Sequence, residues 1–295
     1  MTLNRIIVRP GGVGDSLLLA PALTVLRREF PGLRTALAGY PERLAPLLQA
    51  NLADALIPLE AWLNHPEGLP DRDTSGENSC LCSSIPPRID SFFPQKPAWL
   101  EGTASEALFH LHPILPEGGN STHVAEYLAH CLGLSPPIRC TSPLESLLPF
   151  DRERQESHRI WIHPGAGGKN KRWPLDFFLQ IAGKAVQNHF SVVFLAGEAE
   201  EDLLPGLQRS GLEVMTPSNL SEMAGLFLRQ DWFLGNDSGI THLAALCGLK
   251  TFAIFGPGDP VLWSPWGKDV TVIHGEASAW PSVQAVWEGI CVNRP

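Results

Sequence analysis

The chain has 295 residues, 44% of them hydrophobic and 18% charged, with a formal net charge of −9. That length predicts two domains of about 150 residues each, the apolar content excludes a disordered chain, and the acidic balance excludes a general nucleic-acid binder, which carries a basic stripe. No apolar run approaches the roughly 18 residues of a membrane span, and Ile6-Ile7-Val8, ended by Arg9-Pro10, is too short for a secretory leader, so a cytoplasmic protein is expected.

In chain order, residues 5–9 read as a buried strand and 16–30 as a helix, with Leu19, Leu23, Leu26 and Phe30 at helical spacing. A strand over 33–38 and a helix over 41–50 follow. From 58 to 122, segments such as NHPEGLPDRDTSGENS and IPPRIDSFFPQKP break the periodicity, and long loops with one or two short elements are expected. Helical spacing returns over 123–132 and stops at Gly133. Residues 136–159 read as a connector. Beyond it, strands at 160–162, 191–196, 212–215, 231–235, 251–255 and 270–273 alternate with helices at 175–188, 200–209, 221–229 and 240–247. This alternation predicts an α/β architecture, a parallel sheet covered on both faces. Right-handed crossovers then place the loops that follow the strands along one edge, where ligands bind. The expected domains are 1–150 and 151–280, with 281–295 as a terminal segment.

The six cysteines, Cys80, Cys82, Cys131, Cys140, Cys247 and Cys291, are irregularly spaced and read as free thiols. Cys80 and Cys82 together with His110 and His112 are the alternative, a metal site, but a C-x-C pair lacks zinc spacing, so none is expected.

Three segments have the form of a strand, a small-residue loop and a helix start: RPGGVGDSLLLAP, HPGAGGKNKRWP and GNDSGITHLAALCG. Such loops aim backbone N–H groups and a positive helix end at an anion. Three of them, divided between the two halves, point to a phosphate-bearing ligand. Basic residues gather near two of them: Arg5, Arg9, Arg27, Arg28, Arg34 and Arg43 over residues 1–43, and Lys169, Lys171 and Arg172 after the second. The first loop has neither Walker nor GxGxxG order. Asp15 reads equally as a helix N-terminal residue accepting backbone N–H bonds and as a carboxylate kept ionised to act as a base. Lys171 is placed for a phosphate contact, with a solvated surface lysine as the alternative, and Trp173-Pro174 for a helix start. Asp237 or Ser238 can cap a helix while amides around Gly239 face a pyrophosphate. His242 reaches the same site or serves packing. Phe255-Gly256-Pro257-Gly258 can wall a nucleotide. Glu200 can accept both hydroxyls of a ribose or simply complement a helix N-terminus. Trp62, Trp99 and Phe92-Phe93 are either buried or available for docking at a membrane.

Together, Arg9…Gly14-Asp15…Pro21-Ala22-Leu23, His163-Pro164-Gly165…Lys171-Arg172-Trp173-Pro174 and Asn236-Asp237-Ser238-Gly239…His242-Leu243-Ala244 resemble glycosyltransferase family 9, the bacterial lipopolysaccharide heptosyltransferases. Phe255-Gly256-Pro257 and Trp263-Ser264-Pro265 resemble its downstream elements. The resemblance implies a GT-B fold, two Rossmann-like domains facing across a central cleft, with residues 281–295 a terminal helix packing back across them. It implies an inverting transferase that needs no metal or other cofactor. Its donor is a nucleotide sugar, typically ADP-heptose, and its acceptor a lipopolysaccharide core or related glycan or glycolipid, reached with peripheral contact at the inner membrane. Asp15 is then the general base, and Lys171 stabilises the leaving diphosphate. Gly14, Gly165, Lys169, Glu200, Asp237, Ser238, Gly239 and His242 are expected at the donor site. A non-catalytic nucleotide- or glycan-binding module and a nucleotide-sugar epimerase on the same scaffold are the rival readings.

Overall fold

Ile6, Ile7 and Val8 are wholly buried, as their apolar run dictates for a strand covered on both faces. In the computed structural model this strand, β1 (Arg5–Val8), is the centre of the first of two units, residues 1–139 and 140–295. The structure describes residues 3–64, 71–72, 78–79, 87–102, 106–116, 122–135, 141–148, 159–275 and 279–292.

In the first unit β1 leads to α1 (Val13–Leu17) and α2 (Ala20–Glu29). One continuous helix over 16–30 was expected. The interruption falls where Pro21 enters the first turn of α2, because proline has no N–H to continue the ladder. β2 (Thr35–Gly39), α3 (Pro41–Gln49), β3 (Ala55–Pro58) and α4 (Leu59–Asn64) follow. β4 (Asp71–Arg72) and β5 (Asn78–Ser79) pair antiparallel by themselves. β6 (Arg88–Ser91), β7 (Phe109–Leu111) and α5 (Val124–Cys131) complete the unit. The main sheet is parallel, in the order β3-β2-β1-β6-β7, with Ile6 level with Ala36 and Ile89.

The segment expected to be loop-rich thus contributes two strands to this sheet. β6 escapes a hydrophobic pattern because its buried positions include Asp90, which is fully enclosed and paired with Arg5. Trp62 and Phe92 are interior residues and not a membrane-docking surface. Trp62 meets Trp99 edge to face at 5.1 Å and accepts its indole N–H at the backbone carbonyl, 2.7 Å away.

The second unit runs β8 (Arg159–His163), α6 (Leu175–Gln187), β9 (Ser191–Leu195), α7 (Leu204–Arg209), β10 (Glu213–Met215), α8 (Leu220–Leu226), β11 (Trp232–Asn236), α9 (Gly239–Cys247), β12 (Lys250–Phe255), α10 (Pro260–Trp263), β13 (Val270–His274) and α11 (Val283–Val292). The strands form one parallel sheet, β10-β9-β8-β11-β12-β13. This is the order of a dinucleotide-binding sheet, whose direction of winding reverses between β8 and β11. In the first unit the reversal falls between β1 and β6. The loops after these four strands therefore lie at the two positions where open α/β sheets hold ligands.

Three sequence expectations move. Residues 141–148 belong to the second unit, not the first, because the Leu144 N–H donates to the Leu246 carbonyl and Ser142 packs against Gly248. The helix expected over 200–209 is a 3-10 turn, Glu198–Glu200, then α7, with Pro205 in the first turn of α7. α8 stops at Leu226, since Phe227 is extended. α11 packs on α6 and β13 through buried Val286 and Ile290. Among the described residues no helix is long and apolar enough to cross a membrane.

Candidate functional site

Asn236, at the end of β11, is wholly buried and joins the two loops at the reversal of the second sheet. Its Oδ1 accepts the Trp173 backbone N–H at 2.9 Å, and its Nδ2 donates to the Pro164 and Gly165 carbonyls at 2.8 and 3.2 Å. A buried amide with its donors and acceptor satisfied fixes geometry rather than binding ligand. The sequence shows Asn236 only as part of a motif, since only the fold brings residues 164–173 beside it. Trp173 is anchored by its indole N–H to Pro281 at 2.9 Å. Its role is structural.

This clamp sets Lys171 against Asp237: Nζ and Oδ2 are 2.7 Å apart, with Lys171 42% exposed and Asp237 10%. Gly258 leaves room for that carboxylate, because a Cβ there would sit 2.7 Å from Asp237 Oδ2. Ser238 caps α9 by accepting the Thr241 N–H, and Thr241 Oγ1 donates to the Asn236 carbonyl at 2.6 Å. Gly239 opens α9, where the first N–H groups have no partner within the helix. His242 is buried in the same first turns, its backbone N–H donating to Ser238. A half-exposed cation thus stands at a helix N-terminus, a combination suited to an anion.

Glu200 reaches this sheet edge from the 3-10 turn after β9 and is 5% exposed. Its Oε2 accepts the Gly197 N–H at 2.9 Å and lies 3.8 Å from His163 Nε2. Gly165 is required beneath it: a Cβ would fall 2.1 Å from Glu200 Oε1. Burial by itself would raise the Glu200 pKa. The His163 imidazole, the Gly197 N–H and Arg172 outweigh burial and hold it below the usual glutamate value.

Lys169 does not join this group. It is 80% exposed and pairs with Asp202 at 3.1 Å. Arg172 turns the same way, donating to Asp202 at 2.9 Å and to the Ala199 carbonyl at 2.7 Å, so it braces the turn that carries Glu200. The basic spot seen in the sequence is divided: one lysine at the helix end, two cations on the neighbouring loop.

The first unit holds Asp15 at its own reversal point. Asp15 Oδ2 accepts the Gly12 N–H at 2.9 Å, the carboxylate half of a capping box. Its Oδ1 lies 3.4 Å from the guanidinium of Arg9, and the side chain is 31% exposed. The structural and chemical readings of Asp15 are therefore compatible: the cap orients a carboxylate that still meets solvent. Gly14, expected among the donor residues, sits beside it in α1, and Gly11 gives it space, since a Cβ there would be 2.4 Å from Asp15 Cβ. Arg9 is buried, donates to the Ile114 carbonyl at 3.1 Å, and stands 5.3 Å over the Phe92 ring. In the sequence Arg9 is a motif member, and only the fold shows that it links Asp15 to the loop after β7. Leu111 to Ile114, at and after the end of β7, and Pro94, after β6, line a cavity of about 470 Å³.

His112, from the cavity wall, contacts Asp90 through Nε2 at 3.0 Å, and Asp90 also receives Arg5 and Arg88 at 2.8 Å each. For His112, the hydrogen bond to Asp90 and another to Cys131 exceed the effect of burial and lift the pKa to about 9. Burial opposes ionisation of Asp90, but its three cationic partners prevail and hold it at about 2. Among the described residues no group of three or more His, Cys, Asp and Glu is placed to hold a metal ion. Cys80 and Cys82 lie outside the described residues.

Residues 140–287 match the family model described as glycosyltransferase family 9 (heptosyltransferase). A lipooligosaccharide heptosyltransferase 2 from Campylobacter jejuni is 33% identical over 134 residues, 42% of this chain and 42% of that protein. A lipopolysaccharide heptosyltransferase 3 from Escherichia coli K12 is 28% identical over 123 residues, 39% and 36% of the two chains. The alignments thus span less than half the length of these curated relatives. Among solved structures, the E. coli heptosyltransferase WaaC with ADP superposes with a TM-score of 0.70 at 18% identity, covering 98% of this chain and 99% of that one. A glycosyl transferase family 9 protein from Veillonella parvula gives 0.70 at 16%, covering 99% and 97%. At these identities the superpositions establish the fold, which is GT-B with two Rossmann-like units.

Proposed function

Because the chain belongs to glycosyltransferase family 9, we propose that it moves a heptose from an ADP-linked donor to a lipopolysaccharide-core or related bacterial glycan acceptor, with inversion and without a metal. The observation that carries this reading is the Lys171–Asp237 pair at the N-terminus of α9, on the same edge of the second sheet as buried Glu200. That edge offers a cation and helix amides for a diphosphate and an ionised carboxylate for ribose hydroxyls. The names of the relatives supply the sugar: they are heptosyltransferases, and one of the solved structures holds ADP.

In this reading Asp15 accepts the proton of an acceptor hydroxyl. The hydroxyl oxygen bonds to the anomeric carbon from the face opposite the diphosphate, and the bond between that carbon and the diphosphate oxygen breaks with its electron pair. Asp15 suits the task because Gly12 and Arg9 orient it while solvent contact remains. Lys171 and the amides around Ser238 and Gly239 take up the negative charge that grows on the leaving ADP. Asp237 holds Lys171 in place. His242, buried in the first turns of α9, is tied to Ser238 through its backbone N–H.

Calorimetric titration with ADP, UDP and GDP in metal-free buffer tests the donor half. Selective ADP binding is expected, and equal binding of all three would remove the assignment of the nucleotide. Transfer from ADP-heptose to core oligosaccharide, followed by mass spectrometry, tests the reaction. Hydrolysis or epimerisation of the donor without any product on the acceptor would overturn it.

A further inference from the structure

His163 ends β8 with its side chain only 4% exposed, and the buried group it faces is Glu200. Its Nδ1 is enclosed and has no hydrogen-bond partner among the described residues. Buried imidazole nitrogens are normally satisfied, so the ring is held here at the expense of one nitrogen. What the ring gains is the approach of Nε2 to Glu200 Oε2 at 3.8 Å. The Gly197 N–H reaches that same oxygen at 2.9 Å. Arg172 fixes the backbone behind it through the Ala199 carbonyl. One carboxylate oxygen is thereby occupied. The other, Oε1, lies over Gly165, where no side chain intervenes.

We infer that His163 is a positioning residue: it turns Glu200 so that Oε1 accepts the hydroxyls of a ribose, and it thereby selects ribonucleotide donors over those lacking these hydroxyls. The inference rests on the reading of Glu200 as the ribose-binding carboxylate. Without the imidazole, a carboxylate this enclosed loses a neighbour that favours its ionised form. It then takes up a proton or rotates towards solvent. Either outcome removes an acceptor from the ribose while leaving Lys171 and the α9 amides to hold the diphosphate.

The test is calorimetric titration of the full chain with ADP and with 2′,3′-dideoxy-ADP. Wild type is expected to prefer ADP by about tenfold or more. Glu200→Gln and His163→Leu should bring the two affinities to within about twofold, by weakening ADP alone. His163→Gln, whose amide N–H reaches towards the Nε2 position, should retain most of the preference. A purely structural role would weaken both nucleotides together. If His163→Leu does not fold, judged by its thermal midpoint, His163→Asn supplies the same arm, because its amide overlays Nδ1 and falls short of Glu200. Loss of the preference in Glu200→Gln but not in the His163 variants overturns this inference and leaves the ribose reading standing. No preference in wild type, or an unchanged one in Glu200→Gln, overturns the ribose reading and the inference with it.

Discussion

Asp90 is the carboxylate shared by Arg5, Arg88 and His112, and it is wholly enclosed. Replacing it with Asn keeps the volume and removes the charge. Arg5 is then left 7% exposed with no carboxylate in reach among the described residues. Removing one partner of a buried pair costs about 3–5 kcal/mol, because the other charge stays desolvated. A second consequence is pH dependence. The His112 pKa lies at about 9 instead of the ordinary 6.5, which is worth about 3 kcal/mol at roughly 1.4 kcal/mol per pH unit. Partial solvent contact reduces this to about 2 kcal/mol. A raised pKa means that the folded state binds the proton more tightly. The stabilisation is therefore complete below pH 6.5 and is lost as pH rises through about 9. Asp90 shows the opposite sense: held at about 2, it contributes above its ordinary range near 4 and loses that contribution as pH falls towards 2. Amide hydrogen exchange of the β1 and β6 peptides reports the opening of this unit apart from the other. In wild type, opening should become easier by about 2 kcal/mol between pH 6 and pH 9.5 after correction for intrinsic exchange. Asp90→Asn should be less protected at pH 6 and lose most of that slope. An Asp90→Asn protein with wild-type protection at pH 6, or with the slope intact, would refute the electrostatic account of this cluster.

Three further outcomes concern the site. Asp15→Ala should lower kcat by about 10²–10⁴ with ADP affinity within twofold; equal transfer by variant and wild type would remove Asp15 from the chemistry. Lys171→Ala should cost about tenfold or more in ADP affinity, whereas Lys169→Ala should change it less than about threefold, because Lys169 faces Asp202. The reverse ranking would show that the two lysines are wrongly assigned. Gly165→Ala places a methyl group 2.1 Å from Glu200 Oε1. The carboxylate must move away, so ADP affinity should fall about tenfold, with the thermal midpoint lowered by the overpacking. Wild-type affinity in this variant would mean that Glu200 does not contact the nucleotide.

The sequence by itself determined the parallel α/β architecture of the second unit. Its strands are apolar runs separated by helices of regular length, and local pattern suffices for that. It also located the three loops that carry Asp15, Lys171 and Asp237, because glycine between a strand and a helix start is a local signal. It did not show the right side of the first sheet. β6 buries a charge, and Asp90 becomes legible as a core residue only when Arg5, remote in sequence, lies beside it. Nor did it separate Lys169 from Lys171, two residues apart, since which lysine meets Asp237, just before α9, depends on how Asn236 fastens the loop. Arg9 against the loop after β7, and His163 against Glu200 across the β8–β9 pair, likewise depend on which strands lie side by side. Periodicity records which face of an element is buried. Which charged groups share a burial site is decided by strand order, which only the tertiary structure supplies.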